Sequence, residues 1–118
     1  MKYLCLVYID PVKAKALSQR DADDLTLEAL AYDDELKLSG HYIASNALAG
    51  ISAAITIRVG RCGTSVTDGP FAETKEHLGG FILIEARDLN EAIRIAGKIP
   101  PGRIGCIEVR PTVELTGG

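Results

Sequence analysis

The stretch Asp68-Gly69-Pro70-Phe71-Ala72-Glu73-Thr74-Lys75-Glu76-His77-Leu78-Gly79-Gly80-Phe81 constrains this chain most, because turn formers, alternating charges and a diglycine stand between two β-prone runs. It must therefore join two strands. Asp68 can cap a turn with its carboxylate, Gly69 is held extended by the proline that follows it, and Pro70 suits the first position of a short helical turn carrying Glu73, Lys75 and Glu76. The expectation is a rigid polar lip at the end of a sheet. The plainer alternative is a tight connection whose residues serve only its geometry.

On either side of the lip, strand-like and helix-like patterns alternate. Tyr3 to Ile9 is almost wholly apolar and β-prone, and Asp10-Pro11 ends it. From Asp21 to Leu38, Leu27, Leu30, Ala31 and Leu38 fall near helical spacing, Asp23, Asp24, Glu28, Asp33, Glu35 and Lys37 supply a wet face, and Gly40 stops the helix. Tyr42 to Leu48 reads as a strand. So does Ala53 to Val59, where Ile55, Ile57 and Val59 share one face and Thr56 and Arg58 the other. Arg61-Cys62-Gly63 turns the chain into a brief strand, Thr64 to Thr67. Beyond the lip, Gly80 to Ala86 is a strand, Asp88 caps a helix with Glu91 as its capping-box partner, and Leu89, Ala92, Ile93, Ala96 and Ile99 repeat at three and four. Pro100-Pro101 ends that helix. Ile104 to Arg110 closes the chain as a strand, with Ile107 and Val109 on one face and Cys106, Glu108 and Arg110 on the other.

This order predicts an α+β chain of the ferredoxin-like split β-α-β type, an antiparallel sheet with two helices on one face. Because the strands carry apolar residues on both sides, two such sheets are expected to pack face to face in a symmetric homodimer, a dimeric α/β-barrel assembly. The 118 residues suit a single domain spanning the chain. A net charge of -3, with 13 basic residues scattered among 16 acids, argues against a nucleic-acid footprint. Cys5, Cys62 and Cys106 form no metal or disulfide pattern; Cys5 and Cys106 are expected in the core and Cys62 at the surface. Asp10, Pro11 and Lys13 interrupt the N-terminal apolar run, and no run approaches membrane-spanning length, so the expected location is cytoplasmic, away from membranes. No cofactor is indicated: Gly79-Gly80 precede a strand rather than a helix, and Ser39 and Ser45 lack a nucleophile-elbow context.

The Asp68-to-Glu76 motif followed by Leu78-Gly79-Gly80-Phe81 resembles the hallmark of the DGPF branch of the YCII-related family. Ser39-Gly40-His41-Tyr42, the strand around Arg58, Asp88-Leu89-Asn90-Glu91-Ala92 and Ile107-Glu108-Val109-Arg110-Pro111 are similar to that branch in the same order. The resemblance implies a bacterial ferredoxin-like dimer, often encoded near extracytoplasmic-function sigma factors. Some members of the wider family carry a His in the first helix and an Asp near the end of the second, proposed to act as a dyad. This chain has neither: Asp21 to Leu38 lacks His, and Gly97 to Gly102 lacks an acid.

Any active site must then use other residues. His41, at a helix-to-strand junction, and Asp68, opening the lip, are the candidate catalytic pair: Asp68 would orient the ring and neutral His41 would take a proton. Arg58, with Glu73 and Lys75, is the candidate substrate-binding set, since Arg58 could clamp a carboxylate or phosphate. The plainer readings are a capping His41 and an Arg58 that bridges to Glu108 or Glu73. Glu73 and His77 stand four apart, with Asp68 as a third ligand, but this pattern is too common to predict a metal. Two classes of function stay open: a protein, catalytic or not, that binds a small polar or anionic molecule near the Asp68 loop, and a non-catalytic accessory in a sigma-factor system.

Overall fold

The computed structural model describes residues 1–116. Its elements are β1 (Lys2–Ile9), α1 (Pro11–Ala16), α2 (Gln19–Leu38), β2 (Tyr42–Ala47), β3 (Ile55–Gly60), β4 (Gly63–Asp68), β5 (His77–Glu85), α3 (Leu89–Ala96) and β6 (Gly105–Pro111), with 3-10 turns at Ile51–Ala53 and Pro100–Ile104. Four strands form an antiparallel sheet in the order β2-β5-β1-β6. This is the ferredoxin-like order expected from the sequence, with the β3–β4 hairpin inserted before β5 as a separate two-stranded sheet.

Alternation along β1 and β5 explains the two layers. Tyr3, Cys5, Val7, Ile82 and Ile84 are buried on one face, where they join Tyr32 and Leu36 of α2 and Ala92, Ile95 and Ala96 of α3 in one core. Leu4, Leu6, Phe81 and Leu83 fall on the other face, cross-paired as Leu4 with Leu83 and Leu6 with Phe81, and are only partly covered. Burial pushes the Cys5 thiol up to about 11 and, with Glu35 and Cys5 nearby, the Tyr32 phenol up to about 12. The Tyr32 hydroxyl donates to the Ile95 carbonyl at 2.7 Å and so ties α2 to α3.

Four local readings change. The inward stripe of α2 runs through Leu25, Ala29, Tyr32 and Leu36, whereas Leu27 and Leu38 face outward and Leu30, 57% exposed, lies at the edge of the stripe. In α3, Ile95 turns inward in place of Leu89 and Ile93. Each helix carries apolar residues around much of its circumference, and the sheet covers one strip. Cys106 is exposed rather than in the core, because β6 points it to the open face, where its thiol donates to Glu76 and that carboxylate raises its pKa. Finally, an additional helix, α1, follows β1, capped by the buried Asp10, whose carboxylate accepts from the Val12 amide at 2.9 Å.

The hairpin projects from this slab. The chain measures 49 × 48 × 19 Å with a radius of gyration of 16.4 Å, against about 13 Å for a compact chain of about 100 residues. Gly60 pairs with Gly63 at its tip, and Gly63 has φ +127°, a conformation L residues rarely adopt.

Candidate functional site

His41 and Asp68 sit at opposite ends of β5. The His41 carbonyl accepts from the Glu85 amide and its Nδ1 lies 2.8 Å from the Glu85 carbonyl, so the ring is fixed at the C-terminal end of that strand. Glu91 Oε1 stands 3.8 Å from the same nitrogen. Asp68 instead shares a concavity with His77, the first residue of β5. The nine residues of β5 make eight steps of about 3.4 Å, which put roughly 27 Å between its two ends. The fold therefore does not bring His41 and Asp68 together: the helix-to-strand corner delivers one to the far end of the strand that the lip feeds with the other.

Arg58 also stands apart from Asp68. In the β3–β4 register Ile55 faces Asp68 and Arg58 faces Ser65, and alternation puts Asp68 on the Ile55, Ile57 and Val59 side and Arg58 on the opposite one. Glu73 and His77 line the concavity beneath Asp68, whereas Lys75 is exposed outside its lining. Among the described residues, these acids and the imidazole do not converge on a possible metal position. Nor is the lip helical. Gly69 adopts φ +94°, its amide donates to the Ala54 carbonyl and its own carbonyl accepts from Thr56 Oγ1, which clamps the loop to the base of the hairpin.

A second hollow, of about 350 Å³, lies beneath α2 at the end of the sheet where the lip enters β5. Its roof is Leu25, Ala29 and Leu30, its floor Val7, Gly79 and Gly80, and its far wall Ile99, Pro100 and Pro101. The diglycine explains why the space is there. Gly80 is buried on the helix side of β5, and a Cβ on it would stand 2.9 Å from the Asn46 carbonyl oxygen. That close strand approach requires glycine, and glycine leaves a bare patch of sheet under the helix. Gly79 falls in a bulge, since Val7 pairs with Gly80 and Tyr8 with Leu78.

One carboxylate faces this apolar space. Asp33 lines it, and the Ser45 hydroxyl donates to Asp33 Oδ2 at 3.1 Å. Since that bond uses the only Ser45 proton, the Tyr42 hydroxyl, 2.8 Å away, is the donor to Ser45. A Tyr42–Ser45–Asp33 relay thus orients the acid from the sheet side. Apolar spacing alone puts Asp33 on the wet face of its helix, because it assigns the inward stripe to Leu27 and Leu30. The available signal was the diglycine itself, an unfilled stretch in the middle of a buried strand.

The order of sheet and helices defines a ferredoxin-like α+β protein, and none of its helices among the described residues is long and apolar enough to cross a membrane. A family model for the YCII-related domain matches residues 1–116. An uncharacterized protein of Rhizobium meliloti (strain 1021) is 34% identical over 113 residues, covering 94% of this chain and 91% of that protein. The chain belongs to the YCII-related family.

Proposed function

We propose that this chain binds a small, largely apolar molecule in the hollow beneath α2. The observation that carries the reading is a volume of about 350 Å³, within the range of small-molecule sites, lined by apolar side chains and a glycine floor with few polar groups. The anionic ligand expected from Arg58, Glu73 and Lys75 has less support, since Arg58 faces away from Asp68 and the concavity beneath Asp68 is lined by two carboxylates. Screening neutral aromatic fragments by ligand-observed NMR tests the proposal. Fragments should bind wild type and lose binding in Ala29→Phe, which fills the hollow from its roof; equal binding to both proteins would contradict it.

The protein is further proposed to work as a homodimer joined through the open sheet face, where Leu4, Leu6, Phe81 and Leu83 are left partly exposed. Sedimentation should give a dimer mass, reduced to a monomer by Leu6→Glu. A second reading, an accessory role in a sigma-factor system, draws on the acid-rich outer side of α2, where Leu27 is 64% exposed. It expects binding to a co-expressed extracytoplasmic-function sigma factor that Leu27→Glu abolishes.

A further inference from the structure

Resting on the reading of the hollow beneath α2 as a binding site, we infer that its ligand is an apolar molecule bearing a cationic head, an amine in the simplest case, which pairs with Asp33. Charge and donor supply select the head group. Among the described residues, Asp33 is the only acid in the lining, and no Lys, Arg or His lines the hollow. Of the other polar residues there, the Tyr32 hydroxyl donates to the Ile95 carbonyl and the Thr26 hydroxyl to the Ala22 carbonyl, while Asn46 stands opposite Phe81, so alternation directs its side chain to the open face of the sheet. Ser45 donates to Oδ2 of Asp33, so the relay holds the acid in one orientation and leaves Oδ1 without a side-chain donor among the described residues.

The surroundings do not neutralise this acid. Lys37, one turn further along α2, stands 3.8 Å from Asp34 and 4.9 Å from the centre of the Tyr42 ring, and no ion pair joins it to Asp33. Asp34 and Glu35 follow directly, so the neighbouring side chains add negative rather than positive charge. A carboxylate or phosphate seated in the hollow would meet Asp33 at close range without a compensating cation. An ammonium would meet an oriented acceptor at the end of an apolar slot, where reduced solvent exposure strengthens the pair.

The test compares benzylamine, benzyl alcohol and benzoate, which share a ring and differ in head charge, by titration into wild type and Asp33→Asn at pH 7. Benzylamine should bind wild type at least tenfold more tightly than benzoate, with benzyl alcohol between them. Asp33→Asn, which keeps the size and can still accept from Ser45, should remove the preference and retain benzyl alcohol binding. Benzoate binding as tightly as benzylamine would overturn the charge inference while the binding reading stood. If none of the three binds wild type, the hollow is not a site for such molecules and both fall. The wild-type series alone decides the ranking, even where the variant fails to fold.

Discussion

The central sheet and the projecting hairpin carry the same kind of alternation and meet opposite fates. Ile82 and Ile84 on β5 are buried under α2 and α3, with Ile84 at 0% exposure, whereas Ile55 and Ile57 on β3 are each 61% exposed and Val59 is 83% exposed. Both segments are strands because β-branched residues recur with period two. What separates them is the layer above: two helices cover one sheet, and the hairpin has only its own second strand. Periodicity thus specifies backbone and facing direction, while burial is decided by which element packs there, a matter of topology.

Substitutions in the two regions sharpen that contrast. The largest effect is expected at Ile84→Ala, which removes a fully buried side chain and should cost about 3–4 kcal/mol in denaturant unfolding; Ile57→Ala on the hairpin should stay within about 0.5 kcal/mol. A loss at Ile57 that approached the loss at Ile84 would mean that something else covers the hairpin. Next come the glycines. Gly80→Ala drives a methyl against the Asn46 carbonyl and should cost about 1–3 kcal/mol, whereas Gly60→Ala meets nothing closer than 3.6 Å and should be neutral or slightly stabilising by thermal melt.

Titration separates the core from the helix ends. Tyr32 and Cys5 have raised values in the fold, about 12 and about 11, so burial of their neutral forms stabilises fully below their ordinary values of 10.0 and 9.0. That contribution is lost as pH rises through the raised values. Melting temperature should therefore fall between pH 9 and 12, less steeply in Tyr32→Phe, which should itself cost about 1 kcal/mol at pH 7. The smallest effect belongs to the α3 cap. Asp88 accepts from the Glu91 amide and Glu91 from the Arg87 amide, and these backbone bonds are the main reason that both carboxyls are lowered. Their contribution is present above the ordinary carboxylate range and lost as pH falls through the lowered values. Asp88→Ala should lower the melting temperature by a few degrees at pH 7 and by less in strong acid.

Much of the architecture was legible from residues alone. The strand order followed from apolar runs separated by Asp10-Pro11, Gly40 and Pro100-Pro101, and the Asp88–Glu91 cap from its spacing. The helix faces were not, because α2 and α3 each carry a competing apolar stripe and only contact with the sheet selects between Leu27 and Tyr32, or between Ile93 and Ile95. Candidate chemistry suffered most. Linear order does not reveal that β5 separates His41 from Asp68 by its whole length, or that hairpin alternation turns Arg58 away. The hollow beneath α2 is defined by missing side chains, Gly79 and Gly80, and by an acid whose facing depends on which helix stripe turns inward.

Amide chemical-shift mapping with benzyl alcohol tests the central claim, that the functional space of this chain lies beneath α2. Titration should move the signals of Ala29, Ala47, Gly79 and Gly80 together and leave Gly60 to Thr64 at the hairpin tip unmoved. Shifts confined to the Asp68–Glu76 loop or to the hairpin, with the diglycine unchanged, would contradict it.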